Sequence, residues 1–414
     1  MGVRKWILFD DKGAEALRQY KYVGVDNSLT YKYALSPLAE YVVQTCIPRW
    51  MAPNLITLLG LLFPLISLCI FACYSPHFRT EPPAWTFFFN AFALFAYQTL
   101  DNMDGKQARR TQSSNALGMV FDHGCDAINA GIGAINLLVV LGLMSSGMWE
   151  PFLVLSAVAT PFLPFYVATW EEYYVGALIL PVVNGPAEGV LLGVMFSLIS
   201  GLCGSAWWGK EHASLLALDW LPVTRPGEAV GWFSLVSIVL TCLCQIGNVL
   251  LLQHRKGRSI VQPLLDLLPF AALAGGASLL IATEHELLIE APLLTLGTIA
   301  AIFVEQVVSL MLAHMTHSLY VPYHRTLLPA FLLFVALVSL ESWEALKGRA
   351  LSAERLWTLW HAHFLVVFAY TALYLVLIVA ELSRVLEVRP FRIKDRGGAP
   401  EGKATAVNGR MKMQ

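Results

Sequence analysis

Long apolar stretches separated by short polar connections dominate this chain. A helix of about 20 mostly apolar residues spans the roughly 30 Å of hydrocarbon in a bilayer. Ten stretches approach or exceed that length: 53–74, 84–101, 117–145, 149–170, 187–208, 229–253, 261–283, 290–315, 327–341 and 356–383. The ninth is the shortest. The pattern predicts an all-α polytopic membrane protein with about ten transmembrane helices.

The composition supports a bilayer protein and removes one class of partner. Hydrophobic residues make up 57% of the 414 residues, charged residues only 14%, and the mean hydropathy is +0.60. Soluble domains carry about 25% charged residues. The formal net charge of −1 offers no basic field, so we expect no nucleic-acid partner.

Basic residues cluster in the N-terminal arm, in the connections after the second and sixth stretches, and near the C-terminus. Short cytoplasmic connections are enriched in Lys and Arg, so ten spans with both termini cytosolic place all four clusters on one side. Residues 29–50 mix apolar and polar positions, which predicts an amphipathic helix in the membrane interface. We therefore divide the chain into a cytosolic arm with the interfacial helix (1–52), catalytic helices (53–208), additional transmembrane helices (209–385) and a basic, largely disordered tail (386–414).

Four aspartates lie around the connection between the second and third stretches. Asp101 and Asp104 are three residues apart and Asp122 and Asp126 are four apart, so each pair shares a helix face if both segments are helical. The connection at 105–116 would let the two pairs converge. Charged residues at this depth are costly and usually functional. A transporter with ten spans could also carry such residues, but these four adjoin one connection and are not dispersed along a pathway.

Clustered carboxylates repel one another unless a cation neutralises them. Hard oxygen ligands favour Mg²⁺, Mn²⁺ or Ca²⁺, and Mg²⁺ is commonly bound by a few carboxylates together with substrate phosphates. Lys106, Arg109 and Arg110 lie beside the cluster and supply positive charge for phosphate groups. Gly118 lies one turn before Asp122 and leaves space on the same face. This combination predicts phosphoryl transfer.

The fixed positions of this segment resemble the signature of the CDP-alcohol phosphotransferase family. They are Asp101, Asp104, Gly105, Ala108, Arg109, Gly118, Asp122 and Asp126. The neighbouring residues look like the choline and ethanolamine phosphotransferases, including Trp50-Met-Ala-Pro-Asn54-Leu-Ile-Thr57. Leu180-Pro-Val-Val-Asn184-Gly-Pro-Ala-Glu188-Gly looks like the plant-type aminoalcohol phosphotransferases.

The resemblance implies transfer of phosphocholine or phosphoethanolamine from CDP-choline or CDP-ethanolamine to diacylglycerol, with release of CMP. It implies two Mg²⁺ or Mn²⁺ ions held by the four aspartates, with Asp126 at the second ion. Asn54, Gly105 and Arg109 match substrate-binding positions, and Lys106 and Gly118 complete the predicted binding set. The resemblance further suggests a homodimer in the endoplasmic reticulum or Golgi, with the site facing the cytosol. CDP-diacylglycerol-dependent phosphatidyltransferases share the signature, but they are usually about half this length.

The acceptor hydroxyl needs a general base, and His123 is the natural candidate because its unperturbed pKa lies near neutrality. Asp126 is the competing candidate. The subfamily usually carries Glu four residues before this histidine, where a carboxylate could orient the imidazole, whereas this chain has Met119. The choice between His123 and Asp126, and the preference for choline or ethanolamine, are left open by the sequence.

Overall fold

The structure, a computed structural model, describes residues 6–145, 150–211, 223–283, 286–321, 326–327 and 353–393. Its α-helices, in chain order, are α1 (Asp11–Gln19), α2 (Ser36–Thr45), α3 (Pro53–Tyr74), α4 (Ala84–Arg110), α5 (Ala116–Val140), α6 (Pro151–Val175), α7 (Val190–Cys203), α8 (Pro226–Arg255), α9 (Val261–Leu265), α10 (Leu268–Ala282), α11 (Glu286–Glu290), α12 (Pro292–Thr316) and α13 (Ala353–Leu386). The predicted all-α polytopic membrane protein is confirmed.

Within the described ranges, eight helical segments are long and apolar enough to cross a membrane. Predicted span 53–74 matches α3, and the other described spans lie within a few residues of their helices. The exception is α4, which continues past its predicted end at residue 101 to Arg110. Basic residues in its last turn favour this extension, because they complement the negative end of the helix dipole. The polar residues of α4 lower its hydropathy, so it is not among the eight.

The centre of the helix bundle is formed by α5 and α12. In both, 78% of the most apolar window is buried inside the protein, compared with 22% for α8. Small residues allow close packing here: a Cβ on Gly131 of α5 would lie 2.7 Å from the Cβ of Ala300 of α12. The helix that carries Asp122 and Asp126 is therefore held rigidly in the core.

The helices α12 and α13 run in the same direction. Near their starts, Trp360 Nε1 donates a hydrogen bond to Thr295 Oγ1. Near the end of α13, Arg18 Nε donates to the carbonyl of Val385, and the same helix α1 packs on the end of α12. The sequence predicts one further span between them. That predicted span, 327–341, lies almost entirely outside the described residues, as do residues 394–414 of the predicted disordered tail.

The one described sheet was not predicted. A short strand of the N-terminal arm, β1 (Gly24–Asp26), pairs in parallel with β2 (Leu178–Leu180), which follows α6. Beyond the pair, Asn184 Nδ2 donates to Asp26 Oδ1 over 2.9 Å, and Ser28 Oγ donates to Glu188 Oε1 over 2.5 Å. These contacts hold the N-terminal arm against the end of α6, on the same side of the bundle as the aspartates.

Candidate active site

The aspartates converge at the junction of α4 and α5. Oxygen atoms of Asp101, Asp122 and Asp126 all lie within 4.8 Å of one another, a separation that one metal ion can bridge. Asn115 begins α5 by accepting a hydrogen bond from the backbone N–H of Gly118, which is an N-cap. This cap starts the helix at the point where its first turns bring Asp122 and Asp126 opposite Asp101.

Asp104 lies next to this group on the face of α4 that turns towards α3. It is only 6% exposed, and Thr57 Oγ1 donates a short hydrogen bond to its Oδ2. Thr57 itself is 3% exposed. The hydroxyl fixes one oxygen of the carboxylate and leaves the other for a different partner. Thr57 stands one turn after Asn54, so helical spacing could have identified it.

Tyr97 supports Asp126 in the same way. Its hydroxyl donates a short hydrogen bond to Asp126 Oδ1, and the side chain is 5% exposed. Tyr97 lies four residues before Asp101 on the same face of α4, so spacing indicates that it lies near the aspartates but not that it contacts Asp126 on α5. Hydrogen bonds of this kind orient metal-ligating carboxylates and tune their affinity.

The two predicted substrate-binding residues Asn54 and Gly118 face each other across α3 and α5. A Cβ built on Gly118 would lie 3.6 Å from Asn54 Oδ1, so the glycine keeps this surface low beside the amide. Gly105 stands similarly beside the guanidinium of Arg109, with 3.5 Å between a built Cβ and Arg109 Nη1. The structure therefore arranges four of the five predicted binding residues as two pairs.

The three basic residues after the aspartates differ in their surroundings. Lys106 Nζ donates to Ser36 Oγ over 2.8 Å and lies 3.5 Å from Glu40 Oε2, both on α2. Arg110 Nη1 donates to the backbone carbonyls of Val43 in α2 and of Ile47 just after it, over 2.6 and 2.8 Å. Arg109 is exposed. Two of the three cations thus fasten α2 to α4, and Arg109 is the one whose guanidinium faces solvent beside Gly105.

His123 projects from α5 beside Asp122. Its imidazole makes no hydrogen bond within the described part of the chain, and its ring contacts the edge of Tyr22, with centroids 6.3 Å apart and planes at 81°. Met119, in place of the usual glutamate, is buried in the apolar core. Tyr22 belongs to the N-terminal arm just before β1, and nothing in its sequence context predicted this contact.

The residues present fit a divalent cation. Asp101 Oδ1 is buried and has no hydrogen-bond partner among the described residues. An unsatisfied carboxylate oxygen in such a position is costly unless a cation lies against it. Three carboxylates within ligand distance, with Asp104 alongside, provide the hard oxygen donors that such a cation prefers.

Comparison with known proteins gives consistent results. Residues 50–243 match the family model described as CDP-alcohol phosphatidyltransferase. Choline/ethanolaminephosphotransferase 1 of Arabidopsis thaliana is 38% identical over 269 residues, covering 64% of this chain and 67% of the relative. An uncharacterized CDP-alcohol phosphatidyltransferase class-I family protein of Schizosaccharomyces pombe is 33% identical over 327 residues, covering 78% and 83%. Cholinephosphotransferase 1 of Saccharomyces cerevisiae is 35% identical over 208 residues, covering 49% and 50%.

Proposed function

The chain belongs to the CDP-alcohol phosphatidyltransferase family, and from this premise we propose that it transfers phosphocholine or phosphoethanolamine from the CDP-alcohol to diacylglycerol, producing phosphatidylcholine or phosphatidylethanolamine and CMP. It is a membrane-embedded transferase of phospholipid biosynthesis, so the transporter alternative is set aside. The observation that carries the proposal is the convergence of Asp101, Asp122 and Asp126 within 4.8 Å, at positions that fit the family signature.

We assign the four aspartates to two divalent ions, Mg²⁺ or Mn²⁺, with Thr57 and Tyr97 holding two of the carboxylates in position. When bound, the metal supplies positive charge that polarises the pyrophosphate and stabilises the departing CMP. Every other contribution comes from the protein side chains.

Different substrate-binding residues contact different parts of the CDP-alcohol. Asn54 and Gly118 form one low polar surface beside the aspartates, and Arg109 offers a planar guanidinium suited to bidentate contact with a phosphate. Gly105, which has no side chain, lets the CDP-alcohol approach the backbone next to Arg109. Lys106 contributes positive charge from its position against α2, where its ammonium is held by Ser36.

His123 takes the proton from the acceptor hydroxyl in this proposal. One oxygen of Asp126 already accepts a hydrogen bond from Tyr97, which suits a fixed metal ligand, whereas the imidazole of His123 makes no hydrogen bond to any described residue. A free imidazole beside a metal ligand can accept a proton and release it to solvent. Asp126 remains the alternative base that mutagenesis must test.

The cellular setting follows from the family and the charge distribution. We propose residence in the endoplasmic reticulum or Golgi, a cytosolic orientation of the site, and a homodimer. The basic residues at the end of α4 and after α8 support the cytosolic orientation by the positive-inside tendency.

The decisive experiment incubates purified protein with diacylglycerol, each CDP-alcohol in turn, and Mg²⁺ or Mn²⁺. Product phospholipid and CMP are expected in equal amounts, and neither is expected with CDP-diacylglycerol as donor. The Asp101→Asn variant serves as the inactive control. Absence of product with both CDP-alcohols, under conditions in which a relative is active, would refute the proposal.

A further inference from the structure

A second polar cluster lies against His123. It consists of Tyr20 and Tyr22 from the N-terminal arm, Glu172 near the end of α6 and His314 near the end of α12. The ring of Tyr20 meets the edge of His314 with centroids 6.2 Å apart, and Tyr22 meets His123 as described above. Three segments far apart in sequence thus bring aromatic rings and one carboxylate together.

Glu172 is the unusual member of this cluster. It is 4% exposed, yet its carboxylate accepts no hydrogen bond from any described residue. The nearest cationic candidate is His314 Nε2 at 3.9 Å, which is beyond hydrogen-bond length. Buried carboxylates normally have a paired cation or several donors. Glu172 is therefore a buried carboxyl group with no hydrogen-bond donor in the described part of the protein and with only the His314 imidazole, at 3.9 Å, as a potential cationic neighbour.

The adjacent glutamate, Glu171, does have a hydrogen-bond donor, so the lack of one is specific to Glu172 in this pair. Glu171 is equally buried at 4% exposed, but it accepts a hydrogen bond of 3.0 Å from Asn248 Nδ2 of α8. Two consecutive glutamates point to different neighbours, and only the one on the site's side lacks a donor. Glu171 is thus a matched control for any effect of charge removal in this turn.

The tyrosines place this carboxylate next to the catalytic aspartates. Burial raises the pKa of the Tyr20 and Tyr22 phenols, and the charge of Glu172 raises both further. The charge of Asp122 also raises the pKa of Tyr22, so this tyrosine is close enough to both acidic groups to be influenced by each. A Cβ on Gly24 would collide with the Tyr22 hydroxyl, and the glycine therefore lets the ring fold back over the site. Tyr22 itself is 49% exposed.

We infer that Glu172, Tyr20 and Tyr22 form the subsite for the cationic headgroup of the CDP-alcohol, the trimethylammonium of choline or the ammonium of ethanolamine. This inference rests on the proposed function. A carboxylate without hydrogen-bond donors suits a quaternary ammonium, which has no N–H to offer and is recognised by charge and aromatic faces. A two-carbon spacer separates that nitrogen from the phosphoester oxygen, so its subsite must adjoin the metal-binding aspartates. The cluster beside His123 meets this requirement.

The test measures KM for CDP-choline in purified protein, together with the inhibition constant of CMP, which lacks the headgroup. Glu172→Gln should raise the KM at least about tenfold, the scale of a lost desolvated cation contact, and leave the CMP constant within about twofold. Glu171→Gln should change neither value. Tyr22→Leu should raise the KM for CDP-choline about tenfold, whereas Tyr22→Phe, which keeps the ring, should stay within about threefold.

The possible outcomes separate this inference from the proposed function. No product from the unaltered protein refutes the function. An active protein in which Glu172→Gln keeps its KM, or in which the CMP constant rises by the same factor, refutes the headgroup subsite. If Glu172→Gln does not fold, the half-exposed Tyr22 decides: equal KM values for Tyr22→Leu and Tyr22→Phe overturn the inference, and a Leu-specific rise supports it.

Discussion

The hydroxyl of Tyr97 offers a sharp test of how the aspartates are supported. Replacing Tyr97 by Phe removes only the atom that donates to Asp126 Oδ1 and keeps the buried ring. A hydrogen bond to a charged group contributes about 1.5–3 kcal/mol. With about 1.4 kcal/mol for each factor of ten, we expect metal affinity to fall about ten- to hundredfold, the usual cost of losing an outer hydrogen bond to a metal ligand.

The assay titrates Mn²⁺ at saturating donor and acceptor, and calorimetry of Mn²⁺ binding gives a second readout that needs no turnover. Half-maximal activity should move to about ten- to hundredfold higher Mn²⁺, with the maximal rate at saturating metal retained within about threefold. Tyr74→Phe is the control. Tyr74 is 49% exposed and lies at the end of α3 away from Asn54 and Thr57, so this change should leave the Mn²⁺ requirement and the rate unaltered. An unchanged Mn²⁺ requirement in Tyr97→Phe would show that Asp126 does not need this support, or that it does not bind metal.

Three further predictions follow from the same region. Arg109→Met should raise the KM for the CDP-alcohol about tenfold without lowering thermal stability. Arg110→Met should instead lower stability, because the carbonyls of Val43 and Ile47 lose their donor; the reverse pattern in melting and kinetic assays would contradict our assignment. Asp101→Asn should abolish Mn²⁺ binding and raise the melting temperature of the metal-free protein by relieving repulsion between carboxylates, and a lower melting temperature would argue against that repulsion. His123→Ala should reduce kcat at least about a hundredfold, and near-normal turnover would assign the base to Asp126.

Spacing along single helices made much of the site predictable. Asp101 and Asp104, and likewise Asp122 and Asp126, share helix faces because 3.6 residues complete a turn, and the apolar lengths located most of the described helices. Thr57 and Tyr97 were not predicted as site residues, although each lies one turn from a predicted position. The four-residue spacing from Tyr97 to Asp101 does not show that Tyr97 supports Asp126, because that contact crosses from α4 to α5.

Contacts between distant segments could not be predicted in this way. Lys106 and Arg110 look in sequence like phosphate ligands, yet packing of α2 against α4 provides them with protein partners. The parallel pairing of β1 with β2 joins segments about 150 residues apart and has no local signal. The environment of Glu172 has no local sequence signal either, since its lack of a hydrogen-bond donor depends on which neighbours the fold brings to it.

The hydrogen bonds of Glu381 have a consequence for biosynthesis. Its carboxylate, on a residue only 1% exposed, accepts the backbone N–H groups of Ile7 and Leu8 over 2.7 and 3.0 Å, across as many as 374 residues of chain. At about 5–20 residues per second, the ribosome needs roughly 20–75 s between making the first partner and the last. Ile7 and Leu8, at the start of the N-terminal arm, can therefore form these hydrogen bonds only after the last helix has been synthesised. A chain that ends before Glu381 would contain every catalytic aspartate and could still pair β1 with β2, but the start of the N-terminal arm would lack its anchor, so complete synthesis becomes a condition for a fully seated arm.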